Sequence, residues 1–367
     1  MKKALCILVA LFLILFVPIV SAKEIDVDKI LEEQLDVSGA NELSDALPED
    51  IKEILDDFQI GNLIDNNETL SLESVLKNIL NLVKLEFSEP LACGFSVLAL
   101  LLAASMFSSF SDENKTLHYA VTVGITAAAV VPAANLIISV SSAIKSFGTF
   151  MVSFVPTYAG ILASSSKPLT AAGYSSLMLL AAEIINLIST FLLIPLSSMQ
   201  LSLGVCSPIS LGVDISQIGS MIKKFSMWLL SVLTTFLLGF LSVQTLISGP
   251  KDNLASRTAK FVAGTAIPVV GPTVSEAMNI IKGCLKLLSS SVLIYGVIAV
   301  ALIMLPILLK LIIWRVVLNV CSFSASTLAL KTPAELLKSI DSVFAFLIGI
   351  LILFLLLFLI SLTIVSL

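Results

Sequence analysis

The sequence predicts an all-α fold: a polytopic membrane helix bundle of six to seven spans with re-entrant or amphipathic segments, carrying a small N-terminal extracytoplasmic helical domain. Three observations predict it. Of 367 residues, 57% are hydrophobic and 13% charged, with a mean hydropathy of +1.05. A soluble domain carries roughly 45–50% apolar and about 25% charged residues, so much of this surface needs lipid as its solvent. The charge is also divided. Residues 23–90 hold 18 acidic and 5 basic side chains, whereas residues 91–367 hold 8 acidic and 14 basic. Opposite balances in two segments imply two environments. Finally, the second segment contains repeated apolar runs of about 20 residues, the length that crosses a roughly 30 Å hydrocarbon core. None shows the alternation of barrel strands, so the runs are helices, which satisfy their backbone groups internally.

The chain divides at residues 22 and 90. Residues 1–22 have the order of a signal peptide: Lys2 and Lys3, an apolar run from Ala4 to Val20, and the small-residue site Val20-Ser21-Ala22. The other reading is an uncleaved first membrane helix; in both, the chain from Lys23 onward begins outside the cytoplasm. Residues 23–90 form an acidic helical domain. Ile51, Ile54, Leu55 and Phe58 make one apolar face, and Leu72, Val75, Leu76, Ile79, Leu80 and Val83 a second. So small a core is marginal alone, so the domain either rests on the membrane part or a partner, or is a solvated spacer.

Residues 91–367 are the transmembrane domain. Six spans are expected: Leu91–Phe110, His118–Val140, Thr170–Leu196, Phe225–Ser248, Ser291–Ile313 and Val343–Val365. Three stretches read as less regular. Ser146–Ser165 is apolar but interrupted by Pro156 and Gly160, and Ser197–Asp214 is rich in Ser, Gly and Leu. Gly249–Ser290 is too polar for a lipid-facing span and reads as re-entrant or interfacial, with a helix starting at the capping box Thr273/Glu276. If Ser146–Ser165 does not cross, Lys223, Lys224, Arg315, Lys331 and Lys338 fall inside; if it does, Lys251, Arg257, Lys260, Lys282 and Lys286 do, and the positive-inside rule favours neither. A weak internal echo links Lys145-Ser146-Phe147…Val155-Pro156 to Lys260-Phe261…Ile267-Pro268. Matching breaks in two halves are a transporter-like feature.

Polar residues inside the spans are the candidates for chemistry. Glu183 lies mid-span between Leu180 and Ile184. A carboxylate at that depth costs at least about 2.5–3.5 kcal/mol on insertion scales, so it is either a pathway residue or helix–helix glue, with Asn186 near it. Asn135 and Gln244 are mid-span polar groups better read as helix contacts, and Lys310 and Arg315 are expected to snorkel at a span end. No catalytic residues, metal site or cofactor are expected. There is one histidine, His118, and the five cysteines form no C-x-x-C pair; they read as free buried thiols, with a disulfide left open. Phosphate-loop, G-x-S-x-G and H-E-x-x-H motifs are absent, so an enzyme is not expected. The scattered basic residues give no nucleic-acid footprint.

The segment Arg257-Thr258-Ala259-Lys260-Phe261, Ile267-Pro268-Val269-Val270-Gly271, Ser275-Glu276-Ala277 and Gly283-Cys284 closely resembles the stage III sporulation protein AE family of endospore-forming Firmicutes. Met151-Val152-Ser153-Phe154 leading to Pro156, Gly239 to Gln244, and the order of the domains extend the likeness over nearly the whole mature chain. The resemblance implies a membrane subunit of the mother cell–forespore channel, a secretion-like complex required for endospore development, permease-like or part of an export platform. It implies a multi-pass protein of the mother-cell membrane facing the forespore. Its partners would be other membrane and ring-forming proteins of the same sporulation operon, a cytosolic secretion-type ATPase and the lipid bilayer. Arg257, Lys260, Pro268, Gly271, Glu276 and Gly283 are then the motif and assembly candidates. Two alternatives stay open: a self-sufficient secondary transporter with Glu183 in its pathway, and a pure assembly scaffold.

Overall fold

The computed structural model describes residues 43, 45–49, 51–52, 88–108, 115–164, 168–209, 216–248 and 271–366. Among these the chain is helical and contains no strand. The helices are α1 (Ser88–Ser108), α2 (Lys115–Ser164), α3 (Pro168–Ile188), α4 (Ile194–Ile209), α5 (Ser216–Ser248), α6 (Gly271–Thr327) and α7 (Lys331–Ser366). A single π turn, Ser189–Leu193, joins α3 to α4. Among the described residues, six stretches are long and apolar enough to cross a membrane, and each contains or overlaps one of the six expected spans. The protein is therefore a multi-pass membrane helix bundle. The expected signal sequence, nearly all of the expected acidic domain, and residues 249–270 lie outside the described residues.

Two expectations of irregularity are corrected. Ser146–Ser165 is not a separate broken span: α2 runs unbroken through Pro132 and Pro156 to Ser164. One proline removes one ladder bond, and the neighbouring helices that bury Phe154, Val155 and Tyr158 hold the rest. The first half of the internal echo thus has no break. Ser197–Asp214 is helical through Ile209, with its serines bonded back within the helix. Ser198 and Ser202 donate to the carbonyls of Ile194 and Ser198, four residues back, at 3.3 and 2.9 Å. Of the stretch Gly249–Ser290, residues 249–270 lie outside the described residues, and residues 271–290 form the first turns of α6 and continue without interruption into the fifth span.

Packing contacts fix the register. α6 and α7 form an antiparallel hairpin, with Trp314 edge-on to Phe344 and the Ser322 hydroxyl donating to Ala334 O. The turn is a Schellman motif: Leu330 N–H donates to Ala325 O and Ala329 N–H to Ser326 O, with Ala329 at φ 59° and Leu330 buried. α1 lies alongside α6 in the same direction. Lys310 pairs with Glu89 at 3.0 Å, Val317 fills the space a Cβ would need at Gly94, and Cys321 Sγ–H donates to Gly94 O. α2 crosses the middle. Phe147 meets Phe354 and Phe358 of α7, and Phe154 lies against Gly296 of α6, where a Cβ would strike its ring. Phe150, Phe154 and Tyr158 stack at four-residue spacing, and Tyr158 meets Tyr174 of α3. These buried rings form the centre of the core.

The exposed apolar surface is taller than a bilayer core. On α6 it extends from Ile294 to Phe323, about 44 Å at 1.5 Å per residue. Even tilted by about 40° that exceeds a roughly 30 Å hydrocarbon layer. Arg315 and Asp341 pair part-way up this surface. Beyond them α1 still exposes Phe95, Leu102 and Met106.

Candidate functional site: a polar seam beside a basic end

The helix from Pro168 to Ile209 is bent open by one proline. Pro195 has no N–H to offer Phe191, and its ring crowds the carbonyl one turn back. The ladder resolves this by widening: Ile194 N–H reaches Ser189 O, five residues back, and Ser189–Leu193 becomes a π turn. Asn186, Ser189, Leu193, Ser197, Gln200 and Gly204 follow one another at three- and four-residue steps along one face through this turn, spanning about 27 Å. Ser189, Leu193 and Ser197 are fully buried, and Gln200 is 6% exposed.

This seam is under-satisfied. The Ser197 hydroxyl donates to Ile194 O at 2.6 Å. Asn186 Oδ1, Ser189 Oγ and Gln200 Nε2 are buried and have no hydrogen-bond partner. Each such group costs about 1–3 kcal/mol, so three on one face call for a water, solute or partner group to visit them. Asn186 packs over Gly148 of α2, where a Cβ would sit 2.8 Å from its Nδ2.

At Gln200 the seam meets a cavity of about 300 Å³ between α4, α5 and α7. Ser207, Ser220 and Ser339 line it, with Lys223, Glu335 and Lys338. The helices approach closely beside it: a Cβ at Gly204 would collide with the Ser339 hydroxyl. Lys223 and Lys338 therefore share one end of the bundle with the α6–α7 turn and Lys331. The arrangement gathers hydroxyls, one amide and opposite charges around one cavity.

A family model described as Stage III sporulation protein AE matches residues 55–367. The chain belongs to the stage III sporulation protein AE family. A curated relative, Stage III sporulation protein AE of Bacillus subtilis (strain 168), is 26% identical over 287 residues, 76% of this chain and 69% of that protein. No solved structure matches. A role in sporulation follows from the family.

Within this sporulation AE chain the structure distributes the expected residues widely. Asn186 is on the seam. Glu183 is exposed on the outer face of α3, and Asn135 is exposed on α2. Neither shares a hydrogen bond with Asn186 among the described residues. Gln244 lies on α5 and Glu276 and Gly283 on α6, all with side chains outside the described residues; Gly271 opens α6. Arg257, Lys260 and Pro268 lie outside the described residues. Arg315 does not simply snorkel: its Nε and Nη2 donate to Asp341 Oδ1 and Oδ2 at 2.8 and 3.2 Å. Of the described cysteines, all free, Cys321 is buried, Cys93 half-buried and Cys206 exposed. Sequence reasoning missed Ser189, Ser197 and Gln200. Their signal was present: polar residues at three- and four-residue steps on either side of Pro195.

Proposed function

We propose that this chain is a permease-like membrane subunit of the mother cell–forespore channel, with the Asn186–Gln200 seam as the polar lane through its bundle. The observation that carries the reading is the row of three buried, unpartnered polar groups leading into a polar cavity. Family membership supplies the sporulation setting. With Ser146–Ser165 part of the single helix α2 and the chain from Lys23 starting outside, the end with Lys223, Lys224, Lys331 and Lys338 faces the cytoplasm. That is the side on which a secretion-type ATPase would act. With six spans the N-terminal acidic region and the C-terminus then lie beyond the mother-cell membrane, toward the ring-forming partners of the same operon.

Gln200→Leu and Ser189→Val test this in a spore former. The variants should reach the membrane at normal levels yet arrest development after engulfment, with late forespore gene expression lost. Normal spores from a Gln200→Leu/Ser189→Val strain would remove the lane. A scaffold reading would then stand, favoured by the tightly stacked aromatic core of α2.

A further inference from the structure

Polar groups from three helices meet at one depth in the cavity between α4, α5 and α7. Gly219 of α5 lies against Leu203 of α4. The two helices follow each other in the chain and run antiparallel, so Lys223, four residues on, comes level with Gln200. Gly204 meets Ser339 of α7, which brings Ser342 to the same level. Lys338 stands about 6 Å nearer the α6–α7 turn, at 1.5 Å per residue. All four residues line one space of about 300 Å³. The deciding group is Gln200. It is 6% exposed, and its Nε2 has no acceptor. A buried amide N–H in that state calls for an acceptor from outside the chain. Glu335, one step from Lys338 along α7, is the carboxylate among the described lining residues, and it can neutralise only one of the two lysines.

We infer that this cavity binds a phosphate-bearing anion, whose oxygens accept from Gln200 Nε2, Lys223 Nζ and the Ser342 hydroxyl, with Lys338 adding charge. A phosphate group carries oxygens on several sides and can meet donors from three helices together; a carboxylate carries two in one plane. The surroundings favour the phosphate of an anionic lipid over free phosphate. Lys223 lies near the start of the candidate span Gln217–Gly239, and Met227 and Trp228, one turn further in, are 46 and 59% exposed. A headgroup in the cavity would leave its chains against that apolar face. Tryptophan is enriched at headgroup depth, and basic pockets between helices at the cytoplasmic end lodge anionic headgroups. The cytoplasmic placement rests on the topology proposed above; the binding does not, and it holds whether or not the seam conducts.

Thermal unfolding of the full chain in a neutral detergent tests it, with phosphatidylglycerol, phosphatidylcholine or inorganic phosphate added. Phosphatidylglycerol should raise the midpoint saturably, and phosphatidylcholine should not. Lys223→Gln and Lys338→Gln should each shift the half-saturating lipid concentration upward by at least about tenfold, since each removes a charge-assisted bond. Lys224→Gln is the control: Lys224 is exposed and adjacent in the chain but does not line the cavity, so this variant should respond as the parent does. Gln200→Met removes the orphan donor at similar volume. It should unfold no lower than the parent without lipid and respond less with it. A response to inorganic phosphate alone, with the same dependence on Lys223, would keep the site and make its ligand soluble. No response to either phosphate source, an equal response to phosphatidylcholine, a response that Lys223→Gln leaves intact, or equal losses in Lys224→Gln and Lys223→Gln would overturn the inference.

Discussion

The Arg315–Asp341 pair ties the α6–α7 hairpin together, and its energetic weight can be worked out. The guanidinium engages the carboxylate through two parallel bonds at 2.8 and 3.2 Å, and Asn319 Nδ2 adds a third at 3.1 Å. Exposed pairs contribute about 0–1 kcal/mol, whereas breaking a buried one costs about 3–5 kcal/mol. Asp341 is 19% exposed but Arg315 is 37% exposed, so solvent screening pulls the pair toward the lower figure. A coupling of about 1–2 kcal/mol results, strengthened by the fork geometry. Asp341→Ala should cost more than that, about 2–3 kcal/mol, because it also strips Asn319 of an acceptor. The measurement is a double-mutant cycle with Arg315→Leu and Asp341→Leu, read by unfolding of the purified protein in detergent. The double variant should lose less than the sum of the singles by that coupling. Additivity within about 0.5 kcal/mol would refute the reasoning, since uncoupled sites behave that way.

The other two expectations concern steric fit. Gly296→Ala places a methyl into the Phe154 ring, which is stacked on Phe150 and Tyr158 and cannot yield, so thermal unfolding should show a loss of about 1–3 kcal/mol. Ala329→Gly removes a Cβ from a left-handed residue at the hairpin turn and should stabilise by about 0.5–1 kcal/mol in the same assay, whereas Ala329→Val should destabilise.

Much of the candidate site was legible only in outline. Glu183 stands out in the sequence because charge at span depth is rare, but its spacing fits an inward or an outward face equally well. Only the packing of Tyr174 on Tyr158 and of Asn186 on Gly148 turns Glu183 outward. Ser189 and Gln200 stand at ordinary helical spacing, but polar residues there fit an inward or an outward face; only the packing shows that this face is buried and that Asn186 Oδ1, Ser189 Oγ and Gln200 Nε2 lack partners.

By itself the sequence determined that this is a helical membrane protein with six to seven apolar spans, and its motif segment pointed to the family that the match over residues 55–367 shows. Those properties are additive along the chain: transfer of side chains to lipid and internal backbone pairing depend on composition and run length alone. Tertiary structure decided that α2 passes through both prolines, that Arg315 finds Asp341, and that the seam leads to the basic end. Each depends on which face meets which neighbour, a quantity set by contacts between residues distant in the chain.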